Sequence, residues 1–136
     1  VVNMGIDTSI KGEIEANGNT APRVTYSDID ANIVSAHYFT AADGVNGAYW
    51  GAPKASSTYE SGPIPQISLG LLTFCVLILS NGFTVTGESA CASAENFDAE
   101  IGRKIARAKA VKKIWPLMGY ALKVRLHERD SQAKQS

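Results

Sequence analysis

The feature that most constrains the fold is an Asn81-Gly82 pair between two β-favouring segments. The first segment, Leu71 to Leu79, is rich in apolar and branched side chains, and the second, Phe83 to Thr86, alternates apolar and polar residues. Asn-Gly is the preferred pair of a two-residue type I′ turn, so the sequence predicts an antiparallel β-hairpin. A turn of that length places Ser80 opposite Phe83.

This pairing also predicts which side chains share a face of the hairpin, because side chains alternate along a strand. One face holds Phe74, Val76 and Ile78 with Phe83, Val85 and Gly87. The other holds Cys75, Leu77 and Leu79 with Thr84, Thr86 and Glu88. We expect the first face to pack against the core. In this register Cys91 falls on the first face and Cys75 on the second, so the two thiols should not form a disulfide.

An N-terminal helix is predicted before the hairpin. Thr25 is a suitable N-cap, and Asp28 in the first turn faces the positive end of the helix dipole. Ile29, Ile33 and Ala36 then repeat at helical spacing, which predicts a helix through about residue 37.

A longer helix is predicted after the hairpin, from about residue 95 to residue 114. Asp98 and Glu100 suit its first turns, and its apolar stripe consists of Phe97, Ile101, Ile105, Ala108 and Trp115. Gly102 costs about 1 kcal/mol relative to alanine in a helix, so we expect close packing there, against the hairpin or a second protomer. Pro116 disfavours helical geometry at the preceding residue, so the helix should break and a second one should run to about residue 128.

These elements predict a single α+β domain in which a short N-terminal helix and a C-terminal helical pair pack with the hairpin. We place the domain at residues 21–128, between a flexible tail at 1–20 and a polar tail at 129–136. Residues 40–68 show no periodic pattern and are interpreted as a loop insertion. A lone hairpin is marginally stable and exposes both edges, so we expect an extra strand from the loop region or self-association as a homodimer.

Composition excludes several classes of protein. The chain has 136 residues, the size of one domain, and its longest apolar run, Leu69 to Leu79, is too short to span a membrane. Its two cysteines and two histidines, scattered singly, match no disulfide framework and no zinc spacing, and we expect no cofactor. The first residues do not resemble an export signal, so we expect a reducing cytoplasm in which both thiols are free.

Charge is distributed unevenly along the chain although the formal net charge is zero. Residues 1–70 hold three basic and seven acidic side chains, whereas residues 96–136 hold ten basic and four acidic ones. On a helical wheel Arg103, Arg107, Lys109 and Lys113 fall mostly opposite the predicted apolar stripe and form a candidate basic face. Such a face could contact phosphates or an acidic protein, and a solvated helix surface is the structural alternative.

The segment from Gly87 to Cys91 invites a catalytic interpretation, because it contains a carboxylate, a hydroxyl and a thiol. A nucleophile needs a base within hydrogen-bond reach, and local structure brings neither His37 nor His127 near it. The segment also lacks the second glycine of a nucleophile elbow. We therefore interpret it as a strand end that enters a helix-capping turn, and we expect no enzymatic activity.

The stretch from Cys75 to Leu126 resembles a known family. The resemblance rests on the motifs NGFTVTGESAC, NFDAEIGRKIA and KIWPLxGY. They are similar to those of an uncharacterised family of tailed-phage accessory proteins founded on a gene-49 and a gene-66 product of two enterobacterial phages. Apart from residues 40–68, the resemblance covers roughly residues 21–126. It implies a phage or prophage origin and a host-cytoplasm setting, and it implies no particular activity.

Two functional hypotheses follow. The leading one is a non-enzymatic phage accessory protein that binds a host or phage protein. The alternative is nonspecific nucleic-acid binding through the basic face, with an affinity that falls steeply as salt concentration rises.

Overall fold

The computed structural model describes residues 21–51 and 67–135. In chain order these residues form α1 (Tyr26–Asn32), β1 (Ile33–Thr40), α2 (Ala41–Gly51), α3 (Ile67–Gly70), β2 (Leu72–Leu79), β3 (Thr84–Ala90), a 3₁₀ turn (Ala94–Asn96) and α4 (Ala99–Gln135). The strands make one antiparallel sheet in the order β1-β2-β3, and α4 packs across β2 and β3. The predicted α+β class is confirmed, and the tail predicted at 1–20 lies outside the described residues.

The N-terminal helix begins where predicted but ends earlier. Thr25 and Asp28 form a reciprocal capping box, in which each side chain accepts the backbone N–H of the other residue, at 3.2 and 2.8 Å. The helix stops at Asn32, and the prediction that it continues to residue 37 is wrong, because residues 33–40 form β1. These residues are rich in β-branched and aromatic side chains, which favour a strand once a partner strand is available.

β1 is the extra strand that the exposed hairpin edge requires. Its register places Ala36 opposite Leu77 and Tyr38 opposite Cys75. The strand therefore comes from the predicted helix and not from the predicted loop at 40–68. Part of that loop is itself helical, because α2 lies within it, α3 begins at its end, and a second capping box between Thr40 and Asp43 opens α2. Residues 52–66 lie outside the described residues.

The predicted hairpin is present, but its turn is one residue longer than predicted. The Leu79 N–H donates to the Phe83 carbonyl at 2.8 Å, and the Gly82 N–H donates to the Leu79 carbonyl at 2.8 Å. Gly82 has a φ of +89°, a conformation that a side chain would disfavour. This is the arrangement of a three-residue loop closed by a left-handed glycine, so Leu79, and not Ser80, lies opposite Phe83.

The longer turn reverses the face of β2 that meets the core, because a one-residue shift in register moves every side chain to the other side of the sheet. Cys75 now lies opposite Gly87 and Leu77 lies opposite Val85, all on the buried face. The outer face of β2 instead carries half-buried side chains, Phe74, Val76 and Ile78. The predicted core face was therefore wrong for β2 and right for Val85 and Gly87 of β3.

The C-terminal helix α4 is continuous through Pro116, so the predicted break there is wrong. A proline removes one intrahelical hydrogen bond, but tertiary packing holds the helix on both sides of it. Before the proline, Ile114 is fully buried and Trp115 packs edge-on against Tyr26 with ring centroids 4.9 Å apart. After it, Met118 packs against the core cluster. Residues 129–135, predicted as a polar tail, continue the helix.

α4 meets the sheet with its smallest side chains. Its buried residues are Gly102, Ala106, Ala110 and Ile114. The predicted apolar stripe is therefore displaced by about one residue, and Ile101 is 54% exposed. A Cβ atom at Gly87 would overlap the Ala106 carbonyl oxygen and lie 2.5 Å from the Ala110 nitrogen. The helix backbone thus rests directly on β3, and a larger side chain would not fit between them.

Replacing Gly102 and Gly119 with alanine is expected to change stability in opposite directions. Both glycines lie inside α4, where alanine is favoured by about 1 kcal/mol. A methyl group at Gly119 would meet no atom within 4 Å, whereas one at Gly102 would lie 3.0 Å from the Thr73 hydroxyl oxygen. We expect Gly119→Ala to raise the free energy of unfolding by about 1 kcal/mol and Gly102→Ala to lower it by about 1 kcal/mol. Urea denaturation measures both, and a stabilised Gly102→Ala protein would contradict the close packing.

Candidate functional site

Two of the predicted basic residues, Arg103 and Arg107, lie on the flank of α4 that faces β1. Arg103 lines a cleft together with Tyr38 and Thr40 of β1 and Asp43 of α2. Arg107 follows one helical turn later, and its positive charge acts on the thiol of Cys75 in the neighbouring strand. These two guanidinium groups are therefore directed toward the β1 side of the molecule.

Lys109 and Lys113 lie on the other flank of α4. At 3.6 residues per turn, Arg107 and Lys109 point to roughly opposite sides of the helix, with the buried alanines between them. The backbone of Lys109 lies above β3, since a Cβ at Gly87 would be 3.0 Å from its carbonyl carbon. The four predicted basic residues thus do not form one continuous surface.

The cleft beside Arg103 has a volume of about 130 Å³. Thr73 lies at its base, is 3% exposed, and its hydroxyl oxygen has no hydrogen-bond partner among the described residues. That oxygen is covered by the backbone of α4 at Gly102, where an added Cβ would be 3.0 Å away. The unpaired hydroxyl therefore lies where helix and strand approach each other closely.

Cys75 lies in the interface between the sheet and α4 and is fully buried. Burial raises the pKa of the Cys75 thiol, while the positive charge of Arg107 and a hydrogen bond from Tyr38 act in the opposite direction. Because burial has the largest effect, the thiol remains protonated at neutral pH. This environment suits a structural cysteine.

The other candidate catalytic groups are not brought together. The Cys91 thiol donates to the Ser93 carbonyl oxygen at 3.1 Å. His37 lies on the outer face of β1, 3.1 Å from the Ser35 hydroxyl, and this face is opposite the one that holds Cys75. Both cysteines are free, as predicted, and no group of three potential metal ligands occurs in residues 21–51 or 67–135.

α4 extends well past the sheet at the hairpin-turn end. Its 37 residues span about 55 Å, whereas the eight residues of β2 span about 27 Å. Past the sheet, Leu117, Tyr120, Ala121 and Val124 are exposed, and Tyr120 reaches 75%. Their spacing of i, i+3, i+4 and i+7 is that of a helix face which is usually buried.

Phe83, directly after the hairpin turn, is also exposed and lies beside this helix face. A groove of about 240 Å³ runs between them, lined by Phe83, Leu117 and Ala121 with Leu79 and Met118. We call Phe83, Leu117, Tyr120, Ala121 and Val124 the turn-end patch. The sequence already places three of its members on one side of a helix, but only the length of α4 relative to the sheet leaves them uncovered.

A second groove, of about 520 Å³, adjoins the first and shares Met118 and Ala121 with it. It is lined by Arg23, Val24 and Asp28 near α1, and by Leu122 and Arg125 of α4. Its mixed charges distinguish it from the groove of the turn-end patch, whose lining contains no charged side chain.

The fold and these surfaces define a class of small α+β protein, in which one long helix covers one side of a three-stranded sheet and continues beyond it as an exposed apolar face. The chain belongs to the phage protein family described as N4 Gp49/phage Sf6 gene 66, whose sequence model matches residues 24–126. The resemblance noted in the sequence is thereby confirmed, and the protein is a phage accessory protein. No curated protein and no solved structure matches the chain significantly.

The family match includes every element that positions the turn-end patch. Residues 24–126 extend from the residue before the N-cap of α1 through the sheet to the part of α4 that lies beyond the hairpin turn. No helix among the described residues is long and apolar enough to cross a membrane.

Proposed function

We propose that this phage accessory protein is a non-enzymatic binder of a host or phage protein, and that the turn-end patch is its contact surface. The observation that supports the proposal is an uncovered helix face with the spacing of a buried one, bordered by the exposed Phe83 ring. Apolar helix faces of this kind dock into grooves or against other helices in many protein complexes.

The composition of the turn-end patch suits a protein interface. Aromatic side chains are enriched at such interfaces, and Phe83 and Tyr120 supply two large rings at the two sides of the patch. Covering an exposed large apolar side chain contributes about 1.5–3 kcal/mol when burial is complete.

The proposal predicts that Val124→Asp will weaken partner binding at least about tenfold without unfolding the protein. The substitution places a carboxylate on the turn-end patch, where a docked partner would exclude water, and burying an unpaired charge is strongly unfavourable. Tagged protein would be used to capture partners from lysates of infected and uninfected host cells after nuclease treatment, and the bound proteins would then be titrated.

A matched control is Ile101→Asp, which introduces the same charge at an exposed apolar residue near the other end of α4. We expect this variant to retain its partner. If wild type and Val124→Asp captured the partner equally well, the turn-end patch would not be the contact surface. Equal loss of partner binding in Val124→Asp and Ile101→Asp would contradict the proposal as well.

Nonspecific nucleic-acid binding is the alternative function, and the local excess of positive charge in residues 96–136 is its support. The division of the basic residues between two flanks of α4 limits how many phosphates one strand could contact at once. The same capture experiment distinguishes the two functions, because nucleic-acid binding would be lost with nuclease and would fall steeply with salt. Charge reversal at Arg103 and Arg107 would abolish it, whereas protein capture through the turn-end patch would be unaffected.

A further inference from the structure

The sheet has two edges, and they differ in charge. In the order β1-β2-β3, the outer sides of β1 and β3 face no other strand of the described residues. An uncovered edge presents backbone donors and acceptors that pair readily with another strand. Proteins usually protect such edges with lysine, proline or a bulge.

The β1 edge has little of this protection. Residues 33–40 contain no proline and no Asp, Glu, Lys or Arg, and the single irregularity, at Val34, leaves regular strand from Ser35 to Thr40. Val34 is 66% exposed, and Tyr38 and Phe39 are also exposed, so this edge strand holds three exposed large apolar side chains. An uncharged, partly apolar edge is suited to pairing with another strand of the same kind.

The β3 edge is less suited to self-pairing. It carries Glu88 within the strand itself, whereas basic residues of α4 flank both edges, Arg103 and Arg107 on the β1 side and Lys109 and Lys113 on the β3 side. Two-fold pairing through β3 would bring Glu88 near its own copy, and like charges facing each other across a strand pair are destabilising.

We propose that β1 pairs with β1 of a second copy of this chain, so that two three-stranded sheets join into one continuous six-stranded antiparallel sheet. Antiparallel pairing of identical edges places the two-fold axis perpendicular to the sheet, so the contact is closed and uses the same surface on both copies. Regular pairing over six residues is a small interface, and we expect a dissociation constant on the order of micromolar.

The pairing has a consequence for the geometry of binding, although it does not depend on the proposed function. The two-fold axis places the hairpin turns, and with them the two turn-end patches, at opposite ends of the joined sheet. Both copies of α4 remain on the same side of it. The dimer therefore presents two equivalent surfaces and would bind a repetitive or multimeric target more tightly than one copy does.

The test uses two substitutions in one row of the sheet. His37 lies opposite Val76, and Val76 lies opposite Thr86, so His37→Lys and Thr86→Lys introduce the same charge on the same face at the two different edges. Both residues are exposed, so both variants should fold, which circular dichroism verifies. Sedimentation velocity of the full chain, from low to high micromolar concentration, gives the monomer–dimer equilibrium of each.

We expect a wild-type dimer, an unchanged dimer for Thr86→Lys, and dimerisation weakened at least tenfold for His37→Lys. A wild type that remains monomeric throughout this concentration range would overturn the proposal. So would a dimer that survives His37→Lys, or one that is lost only in Thr86→Lys, because either result places the contact elsewhere. None of these outcomes depends on partner capture through the turn-end patch, so the two proposals fail independently.

Discussion

Replacing Gly87 with alanine is expected to lower the free energy of unfolding by about 3 kcal/mol, enough to unfold much of a marginally stable domain. The reason is the direct contact between β3 and α4, in which the added methyl group would overlap the Ala106 carbonyl oxygen. A flexible side chain could move aside, but the atoms in contact with this methyl group belong to the backbone of a long helix. Relief therefore requires α4 to lift away from the sheet, with loss of the core contacts that Ala106 and Ala110 make.

Urea denaturation followed by far-ultraviolet circular dichroism measures this effect, and Gly47→Ala is the matched control. Gly47 lies in α2, and a methyl group there would meet no atom within 4 Å. We expect the control to be as stable as the wild type or slightly more stable, because alanine is the better helix former. If Gly87→Ala were as stable as the control, the backbone contact between β3 and α4 would be disproved.

Replacing Leu77 with alanine is expected to destabilise the protein by about 2–5 kcal/mol, because the substitution leaves a cavity at the centre of the core. Leu77 is fully buried in β2, between Ala36 of β1 and Val85 of β3. It belongs to the cluster that also contains Ile29 and Ile114, so the surrounding side chains come from several elements and cannot easily collapse into the space.

Val76→Ala in the neighbouring position provides the comparison. Val76 lies on the outer face of the sheet and is only half-buried, so we expect a loss of about 1 kcal/mol or less. The two-residue turn predicted from Asn81-Gly82 would reverse the order of these effects, because it places Val76 in the core and Leu77 outside. A larger loss for Val76→Ala would therefore contradict the three-residue turn.

The close contact between β3 and α4, which makes the protein sensitive to substitution of Gly87, also determines where the turn-end patch lies. Small residues at Gly102, Ala106 and Ala110 let α4 lie flat on β2 and β3, which directs the helix along the sheet and beyond the hairpin turn. Ile114 and Trp115 hold the helix to the core shortly before it leaves the sheet. The turn-end patch is thus presented on a helix that is held firmly at one end and uncovered at the other.

Several features of this protein follow from local sequence. α4 begins at Ala99, about four residues later than predicted, but the N-cap at Thr25, the presence of a hairpin around Asn81-Gly82 and the close packing of Gly102 were all predictable. Each depends on interactions between residues a few positions apart, or on the conformational cost of one glycine. The three family motifs are equally local, and they identify the family without any structure.

Tertiary structure decided three other features. Residues 33–37 have an apolar pattern that fits the helical period, but β2 offers them a complete ladder of backbone hydrogen bonds and they form a strand. The Asn81-Gly82 pair is compatible with loops of two or three residues, and the choice is made by which face of β2 fits against Gly87 and α4. Pro116 locally favours a break, but buried side chains before and after it hold one continuous helix.

For the candidate surfaces, too, some features follow from the sequence and others depend on the tertiary structure. The sequence alone shows which residues are basic and that Leu117, Ala121 and Val124 share a side of a helix. The separation of Arg103 and Arg107 from Lys109 and Lys113 depends on which side of α4 meets the sheet, and the exposure of the turn-end patch depends on where the sheet ends. Local sequence determines conformations over a few residues, whereas the choice between competing conformations and the uncovered surface both depend on contacts between residues far apart in the chain.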